Sequence, residues 1–274
     1  MSIENLYPFA GDHAVQNATF VLEWSDPVGE SVIVEASKLA TKFKNLGLAH
    51  HSLRSHIELK FDGQVEAPDV QKRSGPGSII FSQEKDPVNP GRAVTLSRQN
   101  LLIAIPDYTR WDKVFADVEK YLKIILEEVA PSRPINVIAL QYVDVFSWKD
   151  DPSELDLSEV FNPDSYVPKH IFSLKSLWHL HQGYVSENIG SLPYSLIENV
   201  NLDTADVNGV RVIQITSVHR ATLKDPMWQA HMKNKEKVNE TFASLHQTNK
   251  VMLQRLLTQQ VCEKINLNIS ERSQ

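Results

Sequence analysis

The densest chemical pattern in the chain is Trp178-His179-Leu180-His181, which sets two imidazoles two residues apart. On a strand, that spacing puts both rings on one face, where neutral ring nitrogens can bind a metal. A third ligand, His219, His170 or Asp203, would have to come from another strand. The plainer reading is a polar strand surface, with Phe172, Leu174, Trp178 and Leu180 there for packing. Glu58-Leu59-Lys60 has the Glu-x-Lys spacing of metal-dependent nucleases, in which a carboxylate and a lysine work around magnesium. Such a site needs an aspartate upstream on a neighbouring strand. Here Asp62 and Asp69 follow the motif and Glu35 falls on the preceding helix, so the motif reads more simply as an exposed charged face.

Two further groupings carry weaker signals. Lys38, Lys42, Lys44, His50, His51, Arg54, His56 and Lys60 make the most basic stretch, where phosphates could dock or which could simply be solvated. His246 and Asn249, three apart beside an apolar helix stripe, face the sheet or a partner together, or form a satisfied buried pair. The sequence has no phosphate-binding glycine loop, nucleophile elbow or cysteine pair with zinc spacing. Cys262 is the only cysteine and reads as a small hydrophobe on a packed helix. No catalytic residue, metal or cofactor is assigned.

The elements that must position these groups centre on residues 93–148. Trp111, Val114, Phe115, Val118, Tyr121, Leu122, Ile125, Leu126 and Val129 recur at helical spacing, which predicts a helix over 109–129 with Thr109 as N-cap and Pro131 as its stop. Over 136–148 the period switches to alternation. Ile138, Leu140, Tyr142 and Phe146 share one face, and Val137, Ala139, Val143 and Val145 the other, which predicts a central strand covered on both sides. Strands are also expected at 13–24, 50–61, 78–83, 92–96, 101–105, 171–185, 194–202 and 207–219, the last two joined by Asn208-Gly209. Helices are expected at 31–46, ended by Gly47, and at 233–267. Residues 62–90, rich in Gly and Pro, are the least ordered part of the first half.

This order predicts an α+β fold of two similar halves sharing a large, mostly antiparallel sheet with long helices across a face. The N-terminal half is 1–148, the acidic, proline-bearing connector 149–169 and the C-terminal half 170–274; one continuous domain is the alternative. The formal charge of -6 argues against a broad nucleic-acid footprint, and 42% hydrophobic residues suffice for a sizeable core. A single cysteine and a start without basic and apolar signal regions predict a cytoplasmic protein. No apolar run approaches the roughly 20 residues that cross a bilayer.

The runs LSRQNLLIAIPDYTRWDKVFADVEKY, INVIALQYVDVF and FASLHQTNKVMLQRLLTQQVCEKI resemble a sporadically distributed family of bacterial proteins of about this length with no assigned function. That family's central strand usually carries Arg-Tyr-hydrophobic-Asn, whereas here Gln141 and Asp144 flank Tyr142 and Val143, so any role of its arginine does not transfer. The resemblance supplies no catalytic residues and implies a defence or toxin-antitoxin setting. The expectation is therefore a non-enzymatic regulatory protein that binds a partner protein, one encoded by a neighbouring gene or a second copy of itself, through residues such as His246 and Asn249. The alternative is a small-molecule or nucleotide sensor with Arg98, Tyr142, Trp178, His179 and His181 lining a pocket between sheet and helices. A metal-dependent nuclease or hydrolase stands third.

Overall fold

In the computed structural model, which describes residues 3–61, 70–86, 88–128, 133–163, 165–188, 192–228 and 233–267, the elements follow the predicted order with added detail. They are β1 (Leu6–Pro8), β2 (Val15–Trp24), α1 (Glu30–Glu35), α2 (Ala40–Lys44), β3 (His50–Phe61), β4 (Val70–Ser82), β5 (Ala93–Ser97), β6 (Asn100–Ile105) and α3 (Trp111–Glu128). After these come β7 (Ile135–Trp148), α4 (Leu157–Val160), β8 (His179–Asn188), β9 (Tyr194–Val207), β10 (Val210–Met227), α5 (Lys233–Leu256) and α6 (Gln259–Lys264). The strands form one ten-stranded antiparallel sheet in the order β3-β4-β5-β6-β2-β7-β10-β9-β8, with β1 pairing β7. The α+β architecture and the large antiparallel sheet are as expected. Among the described residues no helix is long and apolar enough to cross a membrane.

Strict alternation decides which side chains meet the helices. On β10, Ile213, Ile215, Ser217, His219, Ala221 and Leu223 are buried, and the residues between them are only partly covered. Register carries that face across the sheet, so that Phe81, Val94, Ile103, Phe20, Leu140, His219, Glu198 and Tyr184 stand in one cross-strand row. Over the β3–β6 end, Ile33 of α1, Phe43 of α2 and Tyr121, Leu122 and Ile125 of α3 complete an apolar core, in which Phe43 stacks on Phe81 at 4.2 Å. Over the β9–β8 end, α4, α6 and the C-terminal part of α5 cover a second cluster around Phe161, Leu202, Ile215 and Leu256.

Several expectations need correction. β7 is central, but the helices cover only one of its faces. On the other face Val137 and Ala139 are 0% and 5% exposed under an ion pair, Arg220 Nη2 to Glu23 Oε2 at 2.8 Å, that straps β10 to β2 across them. Within the expected connector 149–169, Leu155, Leu157, Val160, Phe161 and Val167 are all buried in the second cluster. The C-terminal helix is broken at Leu257 and Thr258, where Thr258 gives its backbone N–H to Val160 O and its hydroxyl to Glu159 O, while Asn162 N–H takes Leu256 O. The 31–46 helix is interrupted by a 3-10 turn at Ala36–Leu39, and the strand expected over 171–185 begins only at His179, after a 3-10 turn at Lys169–Ser173. Finally, β4 reaches back to Val70 through a segment whose Gly and Pro content suggested a loop. Val129 and Pro131 lie outside the described residues.

Candidate functional site

Register builds the site. Tyr142 and Asp144 occupy helix-side positions on β7, with Ser217 opposite Tyr142 and Ile215 opposite Asp144 on β10. His246 and Asn249 reach them from α5, and Tyr108, Arg110 and Trp111 from the approach to α3. The register of β2 against β7 shifts between Val15 and Asn17, a bulge beside Asp144 of the kind that strands place next to sites.

Tyr142 Oη lies 2.8 Å from His246 Nδ1. Burial, then Lys250, then His219 lower the His246 pKa to about 3, while burial pushes the Tyr142 phenol well above its usual value. The phenol therefore keeps its proton and donates, and the neutral imidazole accepts. Trp111 stacks on His246 at 4.1 Å with parallel planes, and its other neighbour Phe115 continues the stack at 4.6 Å. Tyr108 meets Tyr142 and His13 edge-on at 5.9 and 5.8 Å.

Beneath α5 the polar groups are only partly satisfied. Ser217 Oγ donates to Asn249 Oδ1 at 2.6 Å, and His219 Nε2 reaches the same oxygen at 3.0 Å. An amide oxygen only accepts, so His219 carries its proton on Nε2 and turns Nδ1 toward Glu198 Oε2, 3.6 Å away, without a hydrogen bond. Asp144 is 2% exposed, its Oδ2 has no partner, and burial raises its pKa to about 7. Such a group costs about 1–3 kcal/mol to bury, and it lines a cavity of about 450 Å³ between β7, α5 and the start of α3. Arg110, paired with Asp12 at 2.7 Å, stands at the cavity's edge with Asp112 and Lys250. A second cavity of about 490 Å³ lies on the other side of α5, where Glu198, Glu240, Tyr166 and Arg255 face it.

Of the residues singled out in the sequence, Tyr142, His246 and Asn249 come together here. The others do not. Arg98 sits in the β5–β6 turn with Nη1 3.3 Å from His56 Nε2. Trp178 is buried against Phe161, and its backbone N–H is held by Thr204 Oγ1. His179 and His181 are exposed on β8, facing Asp203 and Asn201 across the strand pair on the side of the sheet away from the helices, while His219 points to the helix side. Among the described residues no three His, Cys, Asp or Glu side chains gather as a metal ion needs. The side chains of Glu58 and Lys60, and Asp62 and Asp69 altogether, lie outside the described residues. Sequence reasoning missed Asp144, Tyr108, Trp111 and Lys250. Asp144 had a signal: it falls between Tyr142 and Phe146 on the buried face of β7, an acid in an apolar register. No family model matches the chain, and no curated protein matches it.

Proposed function

We propose that this chain is a small-molecule-binding protein, a sensor whose ligand enters the cavity between β7, α5 and the start of α3. The observation that carries the reading is Asp144, a buried acid whose Oδ2 has no partner, in the wall of a cavity large enough for a metabolite. Aromatic walls beside a few converging polar groups are the usual composition of such sites. Thermal-shift screening against a nucleotide and metabolite panel tests it: a ligand at about 100 times its dissociation constant adds on the order of 2.7 kcal/mol. Ala243 is exposed on the cavity wall, so Ala243→Trp should fill the space, leave the fold intact and abolish the shift. A shift that persists in that variant would place the ligand elsewhere.

A second reading, a regulatory protein that docks a partner in a defence or toxin-antitoxin setting, draws on β8. This edge strand exposes Tyr184 and Val185 at 48% and 70%, and an open edge can accept an added strand. A monodisperse monomer that captures no neighbouring gene product would count against it. The strand order supports descent from two like units. In each, the first strand, β2 or β7, lies at the middle of the sheet beside the last strand of its own meander, β6 or β10, and a long helix follows.

A further inference from the structure

Resting on the docking reading of β8, we propose that the strand added at this edge is the β8 of a second copy of the chain, antiparallel to the first about a two-fold axis at Gly183. The sheet ends at β3 and at β8, and the two edges differ. β3 shifts register against β4 between Arg54 and Ser55 and carries Arg54 and Lys60, the bulge and charge with which edges block an added strand. β8 keeps one register with β9 over all ten residues, contains no proline, lysine or arginine, and exposes Gly183, Tyr184 and Val185 at its middle. Its outward groups follow from the pairing already made. Trp178 O accepts from Thr204 N–H, so the even-numbered residues that follow turn their amides and carbonyls to β9, while His179, His181, Gly183, Val185 and Glu187 turn theirs to the open edge. A two-fold axis at Gly183 sets all five opposite one another in the second copy: Gly183 meets Gly183, His181 meets Val185, and His179 meets Glu187. The last contact occurs twice and joins an imidazole to a carboxylate on the same face of the sheet. Within one chain His179 turns Nδ1 to Asp203 and Glu187 holds Lys224 at 3.0 Å, which leaves the far imidazole nitrogen to reach Glu187 of the second copy. Pairing β8 with β3 would run on as a filament, whereas β8 on β8 closes at two copies with the helices of both on one face of the joined sheet.

Sedimentation equilibrium over a range of concentrations tests this on the full chain. The wild type should pass between monomer and dimer. Val185→Pro removes an amide that faces the open edge and none that β9 uses, so it should give a folded monomer. Glu187→Lys and His179→Glu each remove the complementary group from both copies of the outer contact, and each should dimerise about tenfold more weakly. Mixed in equal amounts, the two variants should recover the wild-type affinity, because the lysine introduced at 187 then faces the glutamate introduced at 179 and the native contact forms at the other end. Misfolding cannot produce that recovery. A wild type that stays monomeric at every concentration, a dimer that persists in Val185→Pro, or a mixture no tighter than its components overturns the proposal. A monomer that still binds a neighbouring gene product, and loses it in Val185→Pro, leaves the docking reading standing with a different occupant. If the monomer binds none, both fall.

Discussion

The cross-strand row from Phe81 to Tyr184 changes its chemistry between β7 and β10. From β4 to β7 it runs Phe81, Val94, Ile103, Phe20 and Leu140, each no more than 1% exposed under α2 and α3; beyond β7 it runs His219, Glu198 and Tyr184 under and beside α5. One sheet and one face thus carry a dry apolar core and a polar one. Of the nine buried polar side chains among the described residues, five, His13, Asp144, Ser217, His219 and Asn249, cluster on the polar side. Packing alone does not call for them, because the apolar side shows that the same layers close with hydrocarbon. Buried polar atoms left without partners, as Asp144 Oδ2 and His219 Nδ1 are, need a reason other than packing.

The largest test of this contrast is Phe43→Ala. Phe43 is fully buried and stacked on Phe81, and its loss leaves a cavity that α1 and α2 can only partly close, for about 3–5 kcal/mol. Urea denaturation measures it. A cost below about 1 kcal/mol would mean that the apolar end is no better packed than the polar one.

Asp144→Asn should act with the opposite sign. The carboxyl titrates near 7 in the folded chain and near 3.8 when free, so between those values the native state holds a proton that the unfolded chain has lost. The stability it contributes therefore falls as pH rises from about 4 to 7, by at most about 4 kcal/mol. His246, lowered to about 3 from 6.5, works in reverse: the native state refuses a proton there, and stability falls as pH drops below 6.5. The two slopes offset each other between about pH 4 and 6.5. Denaturation midpoints should be nearly flat over that window in the wild type, steeper in Asp144→Asn, and higher in the variant at pH 8. A wild-type profile with the variant's slope would show that Asp144 is ionised in the fold.

Tyr142→Phe should cost less, about 1–2 kcal/mol, because it strips the donor from His246 Nδ1 while the ring stays in place. The imidazole then gains access to a proton at higher pH, and its resonance in a nuclear magnetic resonance titration should move up from about 3. An unchanged titration would mean that Trp111 and burial alone set the ring's state.

How much of this was legible follows the range of the interactions. The stripe of α3 and the Asn208-Gly209 turn, with φ of 53° and 80°, depend on neighbours within a few residues and could be read directly. The break between α5 and α6 could not, because Thr258 is capped by carbonyls of Glu159 and Val160 about a hundred positions away. The site divides likewise. Tyr142, His246 and Asn249 were each visible as polar residues on buried faces, but their meeting depends on the register of β7 with β10 and on the path of α5. Two histidines at strand spacing look the same on an exposed edge as in a site, and His179 and His181 stand on the edge. Asp144 entered the sequence reading only as a departure from the resembled family's pattern, although an acid in the apolar register of β7 was itself the signal.

The smallest effect belongs to the face without helices. Arg220 and Glu23 are 34% and 36% exposed, and an ion pair at that exposure contributes about 0–1 kcal/mol. Their placement suggests a different contribution: the Arg220 stem crosses β7 over Ala139 toward Glu23, which stands opposite Val137, and keeps both residues from water where a helix was expected. Charge and cover can be separated. Arg220→Met keeps most of the hydrocarbon and loses the ion pair, so it should change stability by less than about 0.5 kcal/mol and flatten any salt dependence. Arg220→Ala removes the cover as well and should cost about 1 kcal/mol more, since Val137 is then opened to solvent. If the two variants lose the same amount, the ion pair rather than the stem closes this face, and a strand apolar on both sides would need charge to stay buried.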